Sequence, residues 1–354
     1  MKRRIVSIFL AWAMALSLAA CGQKASVQAE TSETARSFTD DIGRTVEIPE
    51  EITRVAVSGP LAQIMLYALA PETMVGLAVK WYDTAEGIIP QEYLDLPYLG
   101  QIYNSADLNV EELALTEPQL ILDVGQELSA SAEELDGLQE RTNIPTVYVA
   151  CSLETMPQTF RTLGELLGRE EKAEDLAAYC ERVYTRTVSV MDAVGENKVS
   201  ALYIMGEEGL NVLARDSYHS ELLDMLTENL AVVENPSGKG SGNEVTMEQI
   251  ALWDPEFILF GPDSIYAEAA ELPVWADMAA VSRGNYVEVP QGPHNWMGTP
   301  PSVQRCLGML WLTARLYPTY CDYDVKAEVL EYYELFYHCA LTDAQYEQLT
   351  KNAF

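Results

Sequence analysis

The chain has 354 residues, 48% of them hydrophobic, and carries 22 Lys plus Arg against 54 Asp plus Glu, a net charge of −32. That length and apolar content suit more than one globular core, and the acidity excludes binding to a phosphate backbone, so no nucleic-acid partner is expected. Six cysteines without C-x-x-C spacing indicate neither a zinc site nor a disulfide framework, so those after Cys21 are read as small core residues, with a Cys321–Cys339 pair left open.

The N-terminus has a basic start (Lys2, Arg3, Arg4), an apolar run over residues 5–18 and then Leu18-Ala19-Ala20-Cys21. The run is shorter than the about 20 residues a membrane span needs, and it ends in small residues, which is the pattern of a cleaved export signal. Residues 1–20 are therefore expected to be a signal peptide, and losing its three cations takes the net charge to −35. Residues 21–37 are rich in Ser, Thr, Ala, Gln and Glu and read as a flexible tether.

An N-terminal lobe is expected over residues 38–155. Asp41-Ile42-Gly43-Arg44-Thr45-Val46 gives a strand-turn-strand pattern, residues 54–57 a buried strand ending at Ser58-Gly59-Pro60, and residues 61–69 a helix. Residues 75–79 form the next expected strand, Leu99-Gly100-Gln101-Ile102-Tyr103-Asn104 a third exit from strand to loop, and residues 146–149 the last strand. Strands alternating with helices imply a parallel sheet, whose ligands collect at the carboxyl ends of the strands.

Linking helices are expected over residues 156–195, the longer one a strut over residues 169–194. Ala173, Leu176, Cys180, Val183, Thr187, Val190 and Val194 recur every three or four positions, with charged residues on the other faces. Gly168 separates the strut from the helix before it, and Gly195 ends it.

A second lobe follows over residues 196–354. Its strands are read at residues 199–205 and 286–289 and a helix at 221–226, then a helix capped by Thr299 with Pro300 at its first position, and a terminal helix carrying Tyr332, Leu335 and Phe336. Asn109-Val110-Glu111 through Pro118-Gln119-Leu120-Ile121-Leu122 returns 137 residues later as Thr246-Met247-Glu248 through Pro255-Glu256-Phe257-Ile258-Leu259. Each copy is a short helix, a proline stop and a buried strand. A repeat so far apart marks a duplicated domain rather than a solenoid.

Taken together, the lipoprotein-type signal, the tether, two α/β lobes and one crossover helix resemble the periplasmic binding proteins that serve ABC importers of iron complexes and vitamin B12. The motif around Asp41-Ile42-Gly43-Arg44, the paired helix–proline–strand elements and Pro300-Pro301-Ser302-Val303-Gln304-Arg305 through Leu310-Trp311-Leu312 carry the likeness. The resemblance implies an α/β fold of two related parallel-sheet lobes joined by a single long helix, with the ligand between the lips. It further implies a lipid on Cys21 that holds the protein outside the cytoplasmic membrane. The expected partners are a permease dimer with its ATPase, the protein itself being a monomer without a cofactor or resident metal. Glu111 and Glu248 fall on the family's two permease-docking carboxylates.

For the ligand, a metal chelate, the strand-end loops offer Trp81, Tyr82 and Tyr103 in the first lobe and Arg215, His219, His294 and Trp296 in the second, beside neighbours such as Ser58 and Gln126. Aromatic rings suit a catecholate or macrocycle, and a cation suits its carboxylates. A ferric siderophore is the expected ligand, with haem or a corrinoid next. Molybdate, tungstate or nickel is the alternative, and the two loop histidines leave a metal contact open. Pro236-Ser237-Gly238-Lys239-Gly240-Ser241-Gly242 lacks the order of a phosphate-binding loop and reads as a lip loop. No nucleophile or zinc-hydrolase motif is present, which leaves an exported enzyme or a sensor as remote alternatives.

Overall fold

A computed structural model describes residues 35–102, 107–126 and 131–354. The expected signal peptide, Cys21 and the lip residues Tyr103 and Asn104 lie outside the described residues.

A hairpin of β1 (Ala35–Thr39) and β2 (Thr45–Pro49) opens the described chain, so the first strand begins inside the stretch read as tether. Its turn is fastened to the lobe that follows. Arg44 pairs with the buried Asp40 at 3.1 Å and donates to the Thr146 carbonyl, while the Asp41 carboxylate accepts the Ala150 N–H. Gly43 supplies the positive φ of 81° that the turn needs.

Three parallel strands, β3 (Val55–Val57), β4 (Leu120–Gly125) and β5 (Thr146–Ala150), form the first lobe's sheet with β4 in the middle. Helix α1 (Pro60–Leu69) follows β3, α2 (Val110–Leu115) leads into β4, and α3 (Ala132–Thr142) joins β4 to β5. Residues 75–79, expected as a strand, make only isolated bridges: Leu77 pairs with Tyr98, and Met74 with Val55. Pro97 shortens this edge because it has no N–H to extend a ladder.

Helix α4 (Met156–Leu167) ends at Gly168 in the left-handed region, and α5 (Glu170–Val194) runs 25 residues, about 38 Å at ~1.5 Å per residue. All seven residues expected on its packed face are buried. Gly164 lets the two helices touch, since a Cβ there would collide with that of Ala173.

The second lobe's sheet is mixed rather than purely parallel. Strand β6 (Ser200–Met205) pairs antiparallel with β7 (Asn211–Val212) and parallel with β8 (Glu228–Asn229). Strand β9 (Asn243–Glu244) extends the β7 edge, while β10 (Phe257–Phe260) and β11 (Tyr286–Glu288) continue the parallel side. Helix α6 (Glu221–Leu226) precedes β8, and α7 (Met247–Trp253) leads into β10.

The duplication is structural. Helices α2 and α7, and strands β4 and β10, begin at positions related by the 137-residue offset, and the residue before each proline, Glu117 and Asp254, has a positive φ of 45° and 42°. The next residue does the same work twice. Gln119 accepts from the N–H of Thr53 and Arg54 just ahead of β3, and Glu256 accepts from the N–H of Ser200, the first residue of β6.

Helix α8 (Arg305–Leu316) begins five residues later than the sequence suggests. Pro301 disfavours helical geometry at Pro300, so the chain turns through residues 300–304 first. Helix α9 (Val325–Phe336) packs on the strut, and α10 (Asp343–Thr350) reaches the first lobe, where Gln345 donates to the Gly87 carbonyl. Cys321 and Cys339 are separate free thiols.

Candidate ligand-binding cleft

A cavity of about 690 Å³ lies between the lobes. The first lobe contributes Ser58, Gly59, Pro60 and Leu61 from the β3–α1 turn, Gln101, and residues 123–126 at the carboxyl end of β4. The second lobe contributes Tyr218, His219, the Gly238-Lys239-Gly240 loop, Pro300 and Pro301. In the first lobe the lining comes from strand ends, the position that parallel sheets favour for ligands.

Asp123 interrupts a run of buried apolar residues in β4 and is itself 2% exposed. The Ser58 hydroxyl donates to its carboxylate across the β3–β4 pair. Opposite, His219 packs against Gly240, where any Cβ would press on the imidazole at 3.3 Å. Burial, followed by the charge of Arg305, holds the His219 pKa below its usual value, and its buried Nδ1 has no hydrogen-bond partner. Lys239 brings an exposed ammonium to the same rim.

A second cavity of about 330 Å³ adjoins Gly240 and is lined by Tyr82, Tyr203, Met205, Asp263, Gln291, Asn295 and others. Asn295 donates to the Tyr203 hydroxyl at 2.6 Å deep in the wall. Beside it the lobes meet through aromatic rings. His294 lies 5.3 Å from Trp81 and 5.7 Å from Tyr82, centre to centre, and the Thr84 hydroxyl donates to the Pro293 carbonyl. Burial alone pushes the His294 pKa down to about 3, so its ring is neutral at ordinary pH.

The residues singled out from sequence therefore divide. His219 and Tyr82 line the two cavities, as do the neighbours Ser58 and Gln126. Trp81 and His294 form the buried layer next to Tyr82, the first 9% and the second 1% exposed. Trp296 is fully buried with its ring 6.3 Å from Trp311 and lines neither cavity. Arg215 donates to the Asn229 carbonyl at 2.6 Å and borders a different depression with Lys198 and Asp216. The two loop histidines have separate surroundings, and among the described residues no three His, Cys, Asp or Glu side chains converge as a metal site.

Asp123, Tyr218 and Lys239 were not singled out as ligand candidates. Asp123 had a signal, a lone acid within Leu120-Ile121-Leu122-Asp123-Val124, where burial of a charge needs a reason.

Glu111 and Glu248 sit exposed in the first turns of α2 and α7. Asn109 caps the one by accepting from the N–H of Glu111 and Glu112, and Thr246 caps the other by accepting from Gln249. Each helix starts close behind the cleft: the Leu108 N–H bonds to the carbonyl of Gln101, and Gly240 and Ser241 lie shortly before Thr246.

Two lobes of duplicated α/β design around an open cavity, with one helix as the long crossover, define a two-lobed solute-binding scaffold. A family profile described as periplasmic binding protein matches residues 65–292, and the chain belongs to that family. Among solved structures it is similar to an ABC transporter solute-binding protein from Sulfurospirillum deleyianum, at 27% identity and a TM-score of 0.81 over 89% of this chain and 99% of that one. A periplasmic solute-binding protein from Veillonella parvula matches at 23% identity and a TM-score of 0.74, over 89% and 97% of the two chains. A molybdate periplasmic binding protein from Haemophilus influenzae, solved with molybdate bound, matches at 18% identity and a TM-score of 0.69, over 87% and 99%. A search of curated proteins gave no match. The protein is thus an extracytoplasmic solute-binding protein of the kind that works with ABC transporter permeases, and its family consists of binding proteins rather than enzymes.

Proposed function

We propose that the protein is a lipid-anchored receptor, held through Cys21, that captures a metal chelate outside the cytoplasmic membrane and hands it to an ABC importer. A ferric siderophore is the favoured cargo, with haem or a corrinoid as close relatives in size. The observation that carries this reading is the interlobe cavity of about 690 Å³, which is in the range of sites for drug-sized organic ligands. Its wall joins apolar surface to a few polar groups, and the Lys239 ammonium suits the net negative charge that many ferric chelates carry.

In this reading Ser58, Gln126, Tyr218, His219, Lys239 and Tyr82 face the ligand, and Trp81 and His294 hold Tyr82 from behind. Trp296 and Arg215 are left out, because neither reaches the cavities. The relative bound to molybdate gives the oxyanion alternative its support, with Lys239 and His219 as the groups that would meet an anion. A bare oxyanion would leave most of the cavity unfilled.

Delivery follows from the two carboxylates. Glu111 and Glu248 occupy equivalent places in the two lobes, each on a helix that begins beside a cleft-lining loop, so a symmetric permease dimer with basic pockets can seat both. A strain whose own copy is replaced by the Glu111→Ala/Glu248→Ala protein should lose iron-chelate uptake while the purified variant binds ligand as before. Uptake at the wild-type rate would refute the delivery step.

A further inference from the structure

Helices α2 and α7 are copies, and their residues have diverged in an unusual way. The side chain each helix buries in its own lobe differs, Leu113 in one and Ile250 in the other. On the outward face the residues are identical: Glu111, Ala114 and Leu115 match Glu248, Ala251 and Leu252, and all six are exposed. These positions are spaced i, i+3, i+4 and so share one helix face. The flanking pairs, Val110 with Met247 and Glu112 with Gln249, have changed. Ordinary divergence keeps a core and lets the surface drift, whereas here the kept residues are on the surface.

Leu115 and Leu252 are each 77% exposed, more than any other large apolar side chain among the described residues. One exposed leucine needs no explanation. Two at matching positions with equal exposure, each one turn from a matching carboxylate, do.

We propose that Leu115 and Leu252, with Ala114 and Ala251 beside them, are the apolar halves of two identical docking feet, and that their partner is the permease dimer. The dimer would offer each foot a basic pocket for the glutamate bordered by an apolar recess for the leucine. This rests on the delivery step proposed above and adds to it the source of affinity. Charge pairs steer and orient, while burial of apolar surface slows dissociation. The twofold repetition argues for a symmetric partner, and the acid beside each leucine argues for a basic one.

The test uses the mature protein and the importer complex of the same organism, permease with ATPase, reconstituted in nanodiscs, with affinity measured across a range of salt. Leu115→Ser/Leu252→Ser should weaken docking about tenfold or more, leave its salt dependence unchanged and leave ligand affinity intact. Glu111→Ala/Glu248→Ala should weaken docking and also flatten its salt dependence. Wild-type affinity for the leucine variant, with the glutamate variant impaired, would overturn the inference and leave the delivery step standing. Unchanged affinity for both variants would remove the delivery step as well. A wild-type protein that dimerises in sedimentation while the leucine variant stays monomeric would make a second copy the occupant, and the inference would fall.

Discussion

Arg305 is buried to 2% of its side chain and pairs with Glu221 at 2.6 Å. The other Glu221 oxygen accepts the N–H of Leu153, in the loop after β5, so a single carboxylate ties the end of the first lobe to two helices of the second. The same arginine donates to the Tyr218 carbonyl at 2.7 Å and lies 5.2 Å from the centre of the Tyr218 ring. Tyr218 lines the larger cavity, so this cluster holds one wall of the cleft.

Arg305→Ala leaves Glu221 without its cation and Tyr218 without its anchor. Because Glu221 is about a third exposed, the expected loss of stability is about 2–4 kcal/mol, near the lower end for breaking a buried pair. Urea unfolding measures it, and ligand affinity should fall in parallel; a loss below about 0.5 kcal/mol, typical of a surface site, would show that the cluster does not hold the lobes.

Acid should destabilise the protein through its histidines. In the folded chain His294 titrates at about 3, because burial opposes its charged form, whereas an unfolded histidine titrates near the ordinary 6.5. Between those values the unfolded chain holds a proton that the folded chain does not. The stability gained from a neutral His294 is therefore full above about pH 6.5 and declines as pH falls, by up to about 1.4 kcal/mol per pH unit. His219 and His338 shift in the same direction. His294→Phe keeps a ring beside Trp81 and Tyr82, and should flatten the slope between about pH 6.5 and 5. Unfolding free energies with the wild-type slope would refute this.

Gly308 lies where α8 closely approaches the chain behind it. A Cβ at that position would run into the backbone carbonyl of Trp296, which cannot turn aside as a side chain can. Gly308→Ala should therefore destabilise by about 1–3 kcal/mol, although alanine alone favours a helix by about 1 kcal/mol. A thermal midpoint at or above that of the wild type would show that the helix has room to shift.

Much of this architecture was legible in local pattern. The strut was written in the spacing of Ala173, Leu176, Cys180 and Val183, and the duplication in the constant offset from Pro118 to Pro255. The first depends on neighbours in sequence and the second on a match between two short segments, and neither needs the tertiary structure. The antiparallel edge of the second sheet was not legible, because β7 and β9 are two residues each and too short to show alternation. The cleft was half legible. Loop position singled out His219 and Tyr82 together with Trp296 and Arg215, since a loop's place at a strand end is a local property. The direction each side chain takes is set by packing, and Trp296 turned inward to Trp311 while Arg215 turned to the Asn229 carbonyl. Lys239 reaches the cavity because a glycine-rich loop folds back over His219, a contact that only the tertiary structure supplies.

The most direct measurement is a titration of the mature protein's tryptophan fluorescence with a ferric catecholate, a ferric hydroxamate, haem, cobalamin, molybdate and nickel. Trp81 lies beside the cleft through Tyr82 and His294, so a bound iron chelate should quench it. The expected result is a saturable one-to-one response to a ferric siderophore, reduced in Trp81→Phe while calorimetry shows that binding persists, and weakened by Lys239→Ala. A response to molybdate or nickel alone would contradict the chelate reading, and no response to any member of the panel, by fluorescence or by heat, would contradict capture of a metal complex altogether.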